Sequence, residues 1–162
     1  MRRKINPEHL DVIKDFVNSS PYLNMLNVKL TSLDFGEAVI EVELEEKHLN
    51  PFGGIHAGLY ASVIDTAAYW SAYCDMDESQ GYTTIDTNVS NLSSISKGKL
   101  RVVGKTIKVG RSICLCEVFV YNESDRLIAH GTAKLMLLQN GTQSLAQILA
   151  HSHVSIPAKF LD

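Results

Sequence analysis

Residues 50–70 read "NPFGGIHAGLYASVIDTAAYW", and this stretch decides the reading of the whole chain. From His56 to about Tyr73 apolar side chains recur at helical spacing and run almost all the way round: Leu59, Tyr60, Val63, Ile64, Ala67, Ala68 and Trp70. A helix of that kind is buried on most sides. At ~1.5 Å per residue it is roughly 27 Å long. One charge interrupts it, the carboxylate of Asp65.

The helical neighbours of Asp65 are Ala61, Ser62, Ala68 and Tyr69, none of which is a cation, so no local ion pair is available. Ala61, Ala68 and Ala72 line its face with small groups and leave space in front of it. An unpaired carboxylate in apolar surroundings is costly, and such carboxylates serve as general bases or nucleophiles. The plainer alternative is an Asp on a solvated strip of the helix, or one paired with a distant Lys.

The start of the same helix carries a second chemical element. Gly53, Gly54 and Gly58 allow a tight turn and close approach of a ligand, and His56 stands at the same end. The first-turn N–H groups of Ala57 and Gly58 have no partner within the helix and suit developing negative charge. Two adjacent glycines before a helix are equally ordinary turn chemistry. Ala57 and Asp65 are eight residues apart, roughly 12 Å along the axis. A carbonyl under attack needs its donor within ~3 Å and its base about as close. One helix can hardly supply both, whereas two helices antiparallel across a two-fold axis can. The spacing therefore predicts a homodimer with two shared sites.

Outward from this stretch the chain alternates in short segments. Asn6-Pro7 followed by Leu10, Ile13, Phe16 and Val17 reads as a capped amphipathic helix, ended by Asn18 to Pro21. Residues 21–35 read as loop and a first short strand. "GEAVIEVELEE" is a half-buried strand with Ala38, Ile40, Val42 and Leu44 on one face. Four further strands follow the long helix, Tyr82 to Leu92, Lys99 to Lys108, Ser112 to Tyr121 and Leu127 to Leu138, joined by short polar links in an antiparallel meander. Asn140-Gly141 breaks the last strand, and "TQSLAQILAH" reads as a short C-terminal helix. The 162 residues form a single domain with short helical extensions at both ends. A sheet must cover one side of the apolar helix, and a partner chain the other.

Composition narrows the function. With 45% hydrophobic and 20% charged residues the chain is an ordinary globular protein. A net charge of −3 and the absence of aromatic interleaving in the basic stretch argue against a nucleic-acid binder. No apolar run is long enough to span a membrane, and no apolar signal region follows the basic start, so the expectation is a cytoplasmic protein. Cys74, Cys114 and Cys116 are odd in number and lack zinc spacing, and read as small buried residues. His151 and His153 lack a third ligand and read as surface residues, and His130 as a satisfied structural histidine. No metal or cofactor is called for.

At "NPFGGIHAG", with Asp65 seven residues after Gly58, the chain resembles the hotdog-fold acyl-CoA thioesterases of the phenylacetate-degradation type. The strand "TTIDTNVSNLSS" and the turn "VGRS" fit the same resemblance, which covers roughly residues 35–138. It implies an α+β hotdog fold, an antiparallel sheet wrapped around a long central helix. It further implies dimers or tetramers that hydrolyse acyl-CoA thioesters at the dimer interface without a metal. Asp65 is then general base or nucleophile, and the Ala57 N–H polarises the thioester carbonyl. Asn50 and His56 orient the acyl end, the Asp or the water. Thr84 is a helper hydroxyl, with Thr83 the alternative one register away, and Gly58 lies against substrate. The family usually reads His-Gly-Gly, and here the triplet is His56-Ala57-Gly58, which keeps the N–H and adds a methyl.

Residues 87–116 carry Lys97, Lys99, Arg101, Lys105, Lys108 and Arg111 and no acid. Lys108 and Arg111 are candidates to dock the phosphates of coenzyme A, within one subunit or across subunits, against the simpler reading of solvated strand edges. Two other readings of the site stand beside hydrolysis: a non-catalytic acyl-CoA-binding protein, and an enoyl-thioester hydratase or dehydratase.

Overall fold

A two-residue strand, β1 (Lys4–Ile5), leads into α1 (Pro7–Asn18), whose start is set by two residues. The Asn6 side chain accepts from the Glu8 N–H at 3.1 Å, and Pro7 occupies a position that needs no donor. The computed structural model describes residues 3–138, 144–151 and 155–161. A short helix, α2 (Pro21–Met25), stands where the sequence suggested loop; at five residues it is too short to show a period. β2 (Val28–Asp34) and β3 (Glu37–Glu43) follow, and then α3 (Ala57–Ser71). His56 is the N-cap of α3 rather than its first residue, and a 3₁₀ turn, Tyr73–Asp75, takes the place of its last turn. The meander is β4 (Gly81–Asn91), β5 (Lys99–Val109), β6 (Ile113–Asn122) and β7 (Leu127–Leu138). α4 (Leu145–His151) and β8 (Phe160–Leu161) close the chain. Asn140-Gly141, the Thr142-Gln143 start expected for the last helix, and His153 lie outside the described residues.

The six long strands form one antiparallel sheet in the order β2-β3-β5-β6-β7-β4, wrapped around α3 as the resemblance implied. Ile40, Leu100, Val118, Ile128 and Leu135 on its inner face are fully buried against Val63, Ile64, Ala67 and Ala68 of α3. Complete burial of a side chain such as Ile64 is worth roughly 1.5–3 kcal/mol. Two glycines set how closely the helix lies. A Cβ on Gly104 of β5 would run into the backbone carbonyl of Ala67, and one on Gly131 of β7 would meet Ile64 Cγ2 at 2.7 Å. α3 thus rests on the sheet backbone itself.

β4 is an edge strand of eleven residues, bonded to β7 on one side and, among the described residues, unpaired on the other. Its one acid, Asp86, is held by Lys134 at 2.7 Å. The far edge, β2, has α1 and α2 packed beside it.

The end of the chain is fastened to the C-terminal end of α3. Lys159 is 1% exposed; its ammonium donates to the carbonyls of Tyr73 (2.6 Å) and Met76 (2.7 Å) and lies over the Tyr73 ring. Its own N–H donates to Glu78 Oε1, and Asn6 N–H donates to its carbonyl at 2.9 Å. Because a carbonyl can only accept, His9 Nδ1 carries the proton it gives to Pro157 O at 2.7 Å, and His9 Nε2 accepts from the Tyr73 hydroxyl. Burial lowers the pKa of both Lys159 and His9. β8 then pairs with β1.

The three cysteines are buried and unbridged, as expected. His130 is satisfied by Glu117 at 2.9 Å.

Candidate active site

The approach to α3 is a turn organised by Asn50. Its Oδ1 accepts from the N–H groups of Phe52 (2.8 Å) and Gly54 (3.3 Å), and its Nδ2 donates to the Ile55 carbonyl at 3.3 Å. Asn50 therefore shapes the turn, with Gly53 at φ +80°, and its side-chain hydrogen bonds all go to that turn. His48, buried just upstream, accepts from Glu45 N–H and bonds the Leu26 carbonyl, while its own carbonyl takes the His56 N–H at 2.8 Å. Nothing in the local pattern marks His48 as an anchor; its partner Leu26 is 22 residues away.

At the helix start the two expected donors part ways. His56 Nδ1 accepts from Gly58 N–H at 2.9 Å, so that donor is already used. A Cβ on Gly58 would sit 2.9 Å from the same Nδ1, so any side chain here would have to displace the His56 ring. The Leu59 N–H goes to the His56 carbonyl at 3.0 Å. The Ala57 N–H finds no acceptor among the described residues, and Ala57 itself is exposed. Its N–H thus remains open to a ligand.

Asp65 sits two turns on, half-buried rather than enclosed as the apolar run suggested. The strip that leads to it, Ala57, Gly58 and Ala61, is exposed. Among the described residues it has no cation partner. Thr87 Oγ1 donates to its Oδ1 at 3.4 Å, leaving Oδ2 unengaged. Thr87 is a residue the alternation of the strand conceals. A bulge at Ile85 shifts the register between Thr84 and Asp86, so Thr84 opposite Leu135 and Thr87 opposite Ala133 both share the inner face. Thr84 is placed towards α3 but makes no hydrogen bond to Asp65, and Thr83, opposite the exposed Met136, lies on the outer face. Tyr69, one turn beyond Asp65, has its phenol pKa raised by burial and by the Asp65 charge. Tyr22 of α2 reaches across to the Ser62 hydroxyl at 2.6 Å, a contact equally invisible in the sequence.

Lys108 and Arg111 are not brought to Asp65. Lys108 stands opposite the exposed Leu115 on the outer face of the sheet, and Arg111 lies in the β5–β6 turn. The loop that touches the helix start is 92–98, whose Ile95 carbonyl accepts from Ile55 N–H at 3.0 Å. Its basic residue is Lys97, and Arg126 of the β6–β7 turn donates to its Ser93 Oγ at 2.8 Å. Among the described residues no group of three or more His, Cys, Asp or Glu is arranged to hold a metal ion, and no helix is long and apolar enough to cross a membrane.

Comparison with known proteins gives a consistent answer. Residues 52–129 match the model of the Thioesterase superfamily. Human acyl-coenzyme A thioesterase 13 is 26% identical over 124 residues, 75% of this chain and 88% of that protein. A 1,4-dihydroxy-2-naphthoyl-CoA hydrolase from Listeria monocytogenes is 24% identical over 103 residues, 64% of this chain and 84% of that one. The structure of a thioesterase from Haemophilus influenzae superposes with a TM-score of 0.76 at 17% identity, covering 85% of this chain and 95% of that one, and so shares the fold. The matched segment opens at Phe52, two residues after Asn50, and spans Ala57, Asp65 and Thr87. Motif, sheet order and the match over residues 52–129 together make this chain similar to the thioesterase superfamily, and its fold is the hotdog fold of that superfamily.

Proposed function

We propose that the chain hydrolyses an acyl-CoA thioester to the free acid and coenzyme A, at two equivalent sites of a homodimer. The observation that carries this reading is the strip on α3. It offers an unengaged N–H at Ala57 and a half-buried carboxylate at Asp65, beside an edge strand left unpaired over eleven residues. Long edge strands of low charge invite pairing. Antiparallel pairing of β4 with its copy continues the sheet and lays two α3 helices side by side, with the Ala57 N–H of one protomer facing Asp65 of its partner.

In that arrangement the thioester carbonyl accepts from the Ala57 N–H. Asp65 Oδ2 either takes the proton of an attacking water or attacks the carbonyl carbon itself, while Thr87 holds Oδ1. The oxyanion that forms is held by the Ala57 N–H, a contribution of ~3 kcal/mol for such a donor. It collapses with loss of the thiolate, a leaving group stable enough to need no strong general acid. In the nucleophile route water then cleaves the acyl–Asp65 anhydride. Lys97, in the loop against the helix start, and Arg126, bonded to that loop from the β6–β7 turn, suit the carrier phosphates better than Lys108 and Arg111.

The test is thiol release from a panel of acyl-CoA thioesters by the wild type and by Asp65→Asn. The reading expects turnover by the wild type and a loss of about 10²-fold or more in the variant. Equal rates would remove Asp65 from the chemistry, and binding without turnover by the wild type would favour the acyl-CoA-binding alternative.

A further inference from the structure

Past Asp65, α3 leads towards α4 and the 155–161 tail, which lie beyond the family model's match at residue 129. Tyr69 follows Asp65 by one helical turn and packs on Tyr82 with ring centroids 4.2 Å apart. Tyr69, Trp70, Tyr73, Tyr82, Glu78 and Leu145 surround a narrow internal space of about 10 Å³. Three of these, Tyr73, Glu78 and Leu145, also wall a groove of about 260 Å³ between α4 and the 155–161 tail. The rest of that groove is His9 and a mainly aliphatic surface that includes Ala146, Leu149, Ala150 and Ile156.

The groove has a built floor and no free charge suited to phosphate. His9 is committed to Pro157 and Tyr73, and Lys159 is turned away to the Tyr73 and Met76 carbonyls. Glu78, whose Oε1 takes the Lys159 N–H, is the acidic wall of the groove, Asp77 joins it at the narrow space, and both repel an anionic carrier. What fits is an uncharged hydrocarbon end. The distance fits as well: Asp65 and Tyr73 are eight residues apart, roughly 12 Å on a helix. An extended chain advancing ~1.25 Å per carbon covers that length in about ten carbons.

We propose that this groove receives the far end of the substrate's acyl group, so that the site favours chains of about ten carbons over short ones. The proposal rests on the hydrolase reading above for the position of the thioester carbonyl. Tyr69 and Trp70, both partly exposed, are the walls that part to widen the passage between site and groove. The tail fastened by Lys159 is then a specificity element as well as a closure of the fold.

The chain's single tryptophan, Trp70, stands in the passage and reports its occupancy. The experiment titrates the full chain with coenzyme A, butyryl-CoA and decanoyl-CoA while following Trp70 emission, and measures thiol release from the two thioesters in parallel. Both are repeated with the double variant Ala146→Phe, Ala150→Phe, which fills the groove from exposed positions on α4. Decanoyl-CoA should move the emission, and coenzyme A and butyryl-CoA should not. In the double variant that response should vanish. The ratio of kcat/KM for decanoyl-CoA over butyryl-CoA should fall about ten-fold or more. A response equal for all three ligands, or a chain-length ratio that the double variant leaves unchanged, overturns the groove while hydrolysis stands. A decanoyl-specific response without thiol release from either thioester upholds the groove and removes hydrolysis instead.

Discussion

Thr87 Oγ1 reaches Oδ1 of Asp65, at 3.4 Å, because β4 carries one extra residue at Ile85. Unbroken alternation from Thr84 would turn Thr87 to the outer face; the bulge turns it in. If this hydroxyl fixes the carboxylate for chemistry, Thr87→Val should lower kcat about ten-fold with KM little changed, the size expected for a hydrogen bond to a charged group. Thr84→Val, on the same face but not bonded to Asp65, should lie within about two-fold of wild type on the same scale. Thiol-release kinetics on both variants decide it; a larger effect at Thr84 would shift the role back to that residue.

Ala57 offers a cleaner test than most backbone donors. It is the first helical residue, where proline is tolerated, and His56 before it has φ −66° and ψ 133°, the conformation a following proline favours. Ala57→Pro therefore removes the N–H without cost to the helix. The expected result is a loss of about 10²–10³-fold in kcat with an essentially unchanged melting temperature. An unimpaired rate would mean that the carbonyl is polarised elsewhere.

Antiparallel pairing that sets Ala57 against the partner's Asp65 has a fixed register, because Ala61 lies midway between residues 57 and 65. Ala61 must then meet its own copy at the two-fold axis. Ala61→Cys should form an inter-chain disulfide on mild oxidation, while the wild type, whose three cysteines are buried, should not. Non-reducing gels and sedimentation read this directly. A variant that stays uncrosslinked while dimeric would refute the register, and an active monomer would refute the shared site.

His9 makes the attachment of the tail sensitive to acid. Its pKa is lowered from 6.5 by burial, so the folded chain holds it neutral while the unfolded chain takes up a proton below about pH 6.5. The unfolded state then binds more protons, and stability falls as pH drops from 6.5 towards the folded value. His48 acts in the same direction, so the measure is a difference between variants. The gap in urea-unfolding free energy between pH 7.5 and 5.5 should be smaller in His9→Phe than in wild type. The baseline at pH 7.5 should itself be lower by about 1–3 kcal/mol for the lost buried bonds. An identical gap would show that His9 does not govern the acid response.

What the sequence made legible was whatever a short window contains. Asn6-Pro7 announced α1, period-two alternation announced β3 and the meander, and the apolar run with Asp65 announced α3. The missing parts depend on distant partners or on one inserted residue. α2 is held by packing against β2, the pairing of β1 with β8 joins opposite ends of the chain, and Tyr22 meets Ser62 across 40 positions. The bulge at Ile85 brings Thr87, three residues after the expected Thr84, within hydrogen-bonding distance of Asp65, and local alternation cannot report such a shift. Asn50 and His56 stand at the turn and the cap that open α3. Their side chains are occupied with the turn and the helix cap, which pattern alone did not distinguish from contact with substrate.

Gly104 and Gly131 carry a consequence for how such a protein can change. Where side chains lie between a helix and its sheet, swapping a larger for a smaller one slides the helix and retunes whatever it carries. Here, at Gly104, strand backbone meets helix backbone, and at Gly131 only the Ile64 side chain lies between, so little cushion is left to resize. The helix is a fixed ruler, and the interval from residue 57 to residue 65 is its graduation. New substrates must therefore be accommodated at the two ends of that ruler, in the 50–55 turn and in the fastened tail, where replacement leaves the calibrated middle undisturbed.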